Sequence, residues 1–80
     1  MKTDDEWADD VKRLLRAEMT RRGITYDQLA ERLEAIGISD TSVNIRNKVA
    51  RGKFTATFFV QCLTAIGARS LRLTESDDGQ

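Results

Sequence analysis

The chain has 80 residues, 40% of them hydrophobic, and its 13 Lys/Arg and 13 Asp/Glu give a formal net charge of zero. This length allows one small domain and excludes a two-domain enzyme with an interdomain cleft, while the absence of histidine and the single cysteine exclude Cys/His zinc sites, histidine-dependent catalysis and a disulfide framework. No apolar run approaches the roughly 18–20 residues that span a bilayer, and the acidic start is unlike a signal peptide, so we expect a soluble, cytoplasmic protein without membrane, metal or cofactor.

The first predicted helix covers roughly residues 6–22 and follows an acidic N-terminal lead at 1–5. Carboxylates crowd its start, and Arg21 and Arg22 lie at its end, which is the charge order that the helix dipole favours. We expect Trp7 to anchor this helix in the core. The apolar positions that recur at helical spacing are Trp7, Val11, Leu14, Leu15 and Met19.

The second predicted helix begins at Thr25, because Thr25 and Gln28 have the spacing of a capping box, and it ends at Gly37. Only residues 23–24 separate it from the first helix, so we expect the two helices to pack as close neighbours. Ile38, in the following turn, is expected to reach the core. The inner face of this helix is predicted to contain Leu29, Ala30, Leu33 and Ile36.

The third predicted helix starts from a capping residue within 39–41 and ends near Arg51. At about 100° per residue, its outer stripe contains only amides and cations. Arg46 falls within the apolar arc, where its stem extends to solvent or its guanidinium pairs with Glu31 or Glu34. The four residues of the outer stripe are Asn44, Asn47, Lys48 and Arg51.

The fourth predicted helix spans roughly residues 56–66, after a cap at Thr55. Cys62 falls among its apolar positions, which indicates a small buried hydrophobic residue and not a nucleophile. Residues 68–74 alternate like a short β-strand, which would need a partner such as the same strand of a second chain. Residues 75–80 form an acidic tail that we expect to be disordered.

The neutral total conceals a basic body with acidic ends. Residues 1–10 carry a net charge of −4 and residues 74–80 carry −3, whereas residues 11–73 hold twelve Lys/Arg against five Asp/Glu, a net +7. This pattern is typical of a domain that binds a polyanion and has solubilising tails. The alternative is that these are scattered surface cations of the kind that any small core tolerates.

The third predicted helix offers chemistry suited to DNA. An α-helix fits the major groove, where asparagine pairs with adenine and Arg or Lys pairs with guanine. Thr41 and Ser42, at the start of the helix, would offer free backbone N–H groups to a phosphate. The alternative interpretation of the Asn44 and Asn47 stripe is a solvated polar face.

Several stretches share the pattern of one known family: T-Y-D-Q-L-A-E-R-L at 25–33, G-I-S at 37–39, R-G at 51–52 and A-T-F-F-V-Q-C-L-T-A-I-G at 56–67. They resemble the Cro/C1-type helix-turn-helix domain of phage-repressor-like regulators. More narrowly, N-I-R-N-K-V-A-R-G-K-F at 44–54 is similar to a small group of short bacterial proteins known only as a domain of unknown function. The resemblance implies a compact all-α, four-helix, repressor-like helix-turn-helix domain over residues 6–67, with the strand at 68–74 available for pairing in a dimer.

The residues and the resemblance together favour a small bacterial DNA-binding protein, a transcriptional regulator that reads the major groove of double-stranded DNA with its third helix and forms a homodimer. By the resemblance, its DNA-facing residues would be Thr41, Ser42, Asn44, Asn47 and Lys48. Its phosphate contacts would come from Arg21, Arg22, Lys48, Arg51 and Lys53.

A different class of function stays open, namely a protein-interaction or dimerisation module without DNA binding. Its interfaces would be the first helix with Trp7 and the strand with Leu71 and Leu73. We expect no enzyme, because the carboxylate pairs near the N-terminus have no apolar pocket that would raise a pKa. The glycines also do not form a nucleotide-binding pattern.

Overall fold

The computed structural model describes residues 1–73, in which four α-helices are joined by short turns and no strand occurs. The all-α, four-helix prediction is confirmed. Residues 68–73 form no strand within the chain, so pairing with a second chain stays a prediction. Residue 74 of that segment and the predicted disordered tail at 75–80 lie outside the described residues. The helices are α1 Asp4–Arg21, α2 Tyr26–Ala35, α3 Ser42–Arg51 and α4 Ala56–Ala65.

Each of the four helices begins after a threonine whose hydroxyl oxygen accepts a hydrogen bond from the backbone N–H three residues later. Such N-caps satisfy backbone donors that a helix start leaves without an intrahelical partner. The predicted Thr25–Gln28 capping box is present, and a second box joins Thr3 to Glu6. This second box explains why α1 starts at Asp4, two residues before the predicted position. The capping residues are Thr3, Thr25, Thr41 and Thr55.

The core lies where α1 and α2 each pack against both α3 and α4. The prediction that α1 and α2 pack on each other is wrong, because no helix contact joins them within residues 1–73. Gly23, with a φ of +66°, ends α1 in the left-handed region, and the cap at Thr25 then starts α2 in a new direction. A short turn fixes the distance between helix ends but not the angle between the helices. The side chains with no solvent exposure are Leu15, Leu29, Leu33, Ile45, Val49 and Cys62.

Two residues predicted for the core are on the surface. Trp7 is 56% exposed, because α1 turns Ala8 inward and leaves Trp7 about a quarter of a turn away. Ile36 is 47% exposed, because it is the C-cap residue that follows the last turn of α2. Ile38 does pack against the core, as predicted.

Cys62 is fully buried in α4, which confirms its prediction as a small hydrophobic residue. Burial raises the pKa of its thiol to about 12, because the charged thiolate loses its hydration. The thiol is therefore protonated at neutral pH and is a poor nucleophile. No helix within residues 1–73 is long and apolar enough to cross a membrane.

Candidate nucleic-acid interface

Helix α3 turns one side into the core and the opposite side to solvent. Ile45 and Val49 have no solvent exposure and fix the inward direction. At about 100° per residue, Asn47 then lies opposite the buried side, and both Asn44 and Asn47 are exposed. The predicted outward orientation of the two asparagines is confirmed.

The exposed face of α3 differs from the predicted stripe in two ways. Val43 is 57% exposed, so the face includes an apolar side chain and does not consist of amides and cations alone. Lys48 is only half-exposed, because it lies on the flank of the helix between α3 and α4. Arg51 is exposed in the last turn, as predicted. The face is therefore centred on Asn47.

The start of α3 already carries a negative charge. The Thr41 hydroxyl oxygen accepts a hydrogen bond from the Asn44 N–H at 3.1 Å, and the Asp40 carboxylate accepts one from the Thr41 N–H at 2.9 Å. Ser42 is half-buried at the first helical position. The Asp40 carboxylate occupies the positive end of the helix dipole. A phosphate is therefore attracted to Thr41 and Ser42 less strongly than the sequence predicts.

An ion pair between Asp40 and Lys48 ties the start of α3 to its last turn. The Lys48 ammonium lies 2.8 Å from Asp40 Oδ2 and 4.7 Å from the ring centroid of Phe58 in α4. The hydrogen bond from Lys48 is the main reason that the pKa of Asp40 lies below its usual 3.8, and burial opposes it. Hydrogen bonds from the Thr41 backbone and the Asn44 side chain act in the same direction as Lys48. Lys48 thus positions α3 on α4, and part of its charge is neutralised.

Replacement of Asp40 tests this ion pair. We expect Asp40→Asn to lower the free energy of unfolding at neutral pH by about 1 kcal/mol, since a charge-assisted hydrogen bond is lost. A carboxylate with a lowered pKa stabilises the fold above its unfolded-state pKa, and this stabilisation disappears as the pH falls through the lower folded-state value. The difference between wild type and variant should therefore shrink below the usual pKa of 3.8. Urea unfolding at several pH values measures it, with Glu34→Gln as an exposed control.

A first basic groove lies on one flank of α3, where α1 and the start of α2 meet it. The groove has a volume of about 330 Å³, and its lining residues include two cations, Arg16 and Arg46, together with Tyr26 and one carboxylate, Asp27. Arg46 is exposed, and its guanidinium carbon lies 5.5 Å from the Tyr26 ring centroid, a distance typical of cation–π stacking. Within residues 1–73, Arg46 forms no ion pair with Glu31 or Glu34, so that alternative is wrong and the stem extends to solvent.

A second basic groove lies on the opposite flank of α3, where the helix meets the start of α4. It has a volume of about 250 Å³, and its cations are Lys48, Arg51 and Lys53. Lys53 lies 3.0 Å from Asp5, and this ion pair raises the pKa of Lys53. Both of these side chains are largely exposed, so solvent screens the pair and Lys53 can exchange one anion for another at small cost.

The remaining predicted phosphate contacts, Arg21 and Arg22, have a structural partner. Glu18 is 4% exposed, and the two guanidinium groups lie 3.1 and 2.5 Å from its carboxylate. A buried carboxylate requires such compensation. Neither arginine lines the first or the second basic groove.

Sequence reasoning did not identify Arg16 and Tyr26 as site residues. Arg16 is simply one of several cations on α1, and only the packing of α1 on α3 brings it near Arg46. The one sequence feature that pointed to this groove is the unusual position of Arg46 in the apolar arc of α3. In the structure this position brings the Arg46 guanidinium over the Tyr26 ring.

A family model matches most of the chain. Residues 7–71 match the family model described as a domain of unknown function, DUF6471. No curated protein and no solved structure gives a significant match. The match includes α2, α3 and α4 completely, together with all but the first turn of α1.

Proposed function

We propose that this chain, which belongs to the DUF6471 family, binds double-stranded DNA by inserting the exposed face of α3 into the major groove. The observation that carries the proposal is the presence of a basic groove on each flank of α3. The major groove admits an α-helix, and phosphate backbones border it on both sides. Cations on both flanks of one exposed helix are therefore complementary to the negative charge of the two phosphate backbones.

The contacts divide between base edges and phosphates. Asn47 lies at the centre of the exposed face and has no side-chain partner within residues 1–73, so it is the principal candidate for reading a base edge. Asn44 is also exposed and is a second candidate. Arg46 on one flank and Arg51 on the other have no ion-pair partner among the described residues, and they supply the phosphate contacts. Arg16 and Lys53 extend these two sets.

The biological role that follows is that of a small bacterial transcriptional regulator. The resemblance of residues 11–67 to Cro/C1-type helix-turn-helix domains supports this role, with α2 and α3 as the helix-turn-helix and α3 as the recognition helix. The function requires no catalysis and no cofactor. A second candidate, a protein-interaction module without DNA binding, is favoured by the exposure of Trp7 on α1.

Fluorescence anisotropy with duplex DNA over a range of salt concentrations tests DNA binding. If four cations each neutralise one phosphate, the logarithm of the affinity should fall with the logarithm of the salt concentration with a slope of about −3 to −4. Circular dichroism of the same sample verifies that the protein is folded. A folded protein with no detectable affinity at low salt would eliminate the proposal and leave the interaction module.

The base-reading role of Asn47 gives a second test. A preferred duplex is first selected from a random library. We then expect Asn47→Ala to weaken binding to that duplex by about 1–3 kcal/mol, because a bidentate contact to a base is lost. Binding to random DNA should change little. Thr64→Ala, an exposed substitution on α4, is the control, and equal losses on both duplexes would show that Asn47 does not read bases.

A further inference from the structure

The exposed face of α3 carries a short apolar row beside Asn47. Val43 is 57% exposed, and Ala50, at i+7 from Val43, is exposed as well. At about 100° per residue, Val43 lies only about 40° from Asn47 around the helix, on the side that faces Arg46. Valine is also a weaker helix former than alanine or lysine. Val43 therefore contributes little to the core or to the helix, and it is free for a contact outside the chain.

The two arginines on the flanks of α3 determine what meets this row. Around the helix, Arg46 and Arg51 lie on either side of Val43, at about 60° and 80° from it. Arg46 lines the first basic groove and Arg51 lines the second. When these two cations contact the phosphate backbones, the side chains between them meet base edges on the floor of the major groove. The inference about Val43 thus rests on the proposed function.

We propose that Val43 contacts the methyl group of a thymine while Asn47 pairs with an adenine, so that α3 selects A·T base pairs. In the major groove, adenine presents N7 and its N6 amino group, which one asparagine side chain binds together, and thymine presents its methyl group. Cβ atoms at i and i+4 of a helix are about 5–6 Å apart, and successive base pairs are about 3.4 Å apart. The two side chains therefore reach the same base pair or two adjacent ones.

Neither a G·C pair nor a protein fits this row as well. A cytosine presents its N4 amino group to the major groove, and against Val43 this donor would lose water and gain no acceptor. Val43 therefore rejects the wrong base as well as attracting the right one. A stable protein interface buries about 800 Å² on each side, far more than two small side chains offer. Polar and charged side chains such as Asn47 and Arg51 also border the row.

Replacement of thymine by uracil tests the contact without any change to the protein, since uracil lacks only the methyl group. A preferred duplex is selected from a random library, and each thymine in it is replaced in turn by deoxyuridine. One position should weaken binding about fourfold, the loss expected for one buried methyl group, and the other positions should have little effect. Fluorescence anisotropy measures the affinities. A preferred site made only of G·C pairs, or one in which no thymine matters, would overturn the inference.

A double-mutant cycle assigns the methyl contact to Val43. We expect Val43→Ser to bind the unmodified duplex at least about fourfold more weakly and to show no further loss when the critical thymine is replaced. Val60→Ser is the matched control, since Val60 is 59% exposed on α4, and it should keep the wild-type sensitivity to uracil. Thermal melts verify that both variants fold. If Val43→Ser is as sensitive to uracil as the wild type, another residue reads the methyl group and the inference is wrong.

These measurements also separate the inference from the proposed function. A folded protein without affinity for any duplex would eliminate both. Binding that depends on Arg46 and Arg51 but on no thymine methyl group would keep the proposed function and overturn only the role of Val43. Binding that depends on the arginines and on one thymine methyl group, through Val43, would support both.

Discussion

Gly52→Ala is expected to lower the free energy of unfolding by about 3 kcal/mol or more, a large part of the stability of a small domain. Gly52 ends α3 with a φ of +66°, in the left-handed region that disfavours side chains. A Cβ atom at this position would lie 2.2 Å from the backbone oxygen and 2.8 Å from the carbonyl carbon of Ala8. Because both atoms belong to the backbone of α1, no side-chain rotation relieves the clash.

The same substitution at Gly23 provides a closely matched control. Gly23 also has a φ of +66°, but a Cβ atom there would have no neighbour within 4 Å. Gly23→Ala should therefore lose only the backbone strain, about 1 kcal/mol. The difference between the free energies of unfolding of the two variants, measured in urea, gives the cost of the clash between α1 and the end of α3. Equal losses would mean that the two helices separate easily at this point.

The combined replacement of Arg46 and Arg51 by glutamine is expected to weaken binding to duplex DNA by one to two orders of magnitude at low salt. The two arginines lie on opposite flanks of α3, in different basic grooves. Each replacement should remove one phosphate contact. The slope of the logarithm of the affinity against the logarithm of the salt concentration should therefore become less negative by about 2. Anisotropy titrations of wild type and variant over the same salt range measure both quantities.

A second double variant, with the same net charge as the Arg46/Arg51 variant, tests whether DNA affinity depends on these two positions or only on the total charge. Arg32→Gln combined with Arg69→Gln also removes two exposed arginines, and neither residue lines a basic groove beside α3. This control should keep most of the affinity and most of the salt slope. Similar losses in both double variants would show that DNA responds to the total charge and not to the flanks of α3.

Local sequence signals predicted the helices well, because each helix start depends on neighbouring residues. The threonine caps and the apolar spacing identified α2, α3 and α4 with small differences at their ends. The prediction that Trp7 lies in the core is wrong, because the spacing of apolar residues identifies a stripe on the helix but not the direction in which it faces. That direction depends on contacts between distant parts of the chain, such as the close approach of Gly52 to Ala8.

The candidate site was predictable only in part for the same reason. The exposure of Asn44 and Asn47 follows from the period of one helix. The Asp40–Lys48 ion pair and the stacking of Arg46 on Tyr26 depend on how the helices and turns meet. Sequence spacing alone therefore could not show which cations are engaged within the chain.

Chemical-shift mapping of the ¹⁵N-labelled protein during titration with duplex DNA would locate the DNA-binding surface residue by residue. If α3 enters the major groove, the largest changes should occur at Asn47, including its side-chain amide, with further changes at Arg46 and Arg51 on the two flanks. Trp7, which is exposed on α1, should show little change. Changes concentrated around Trp7, or spread evenly over all basic residues, would contradict the role assigned to α3.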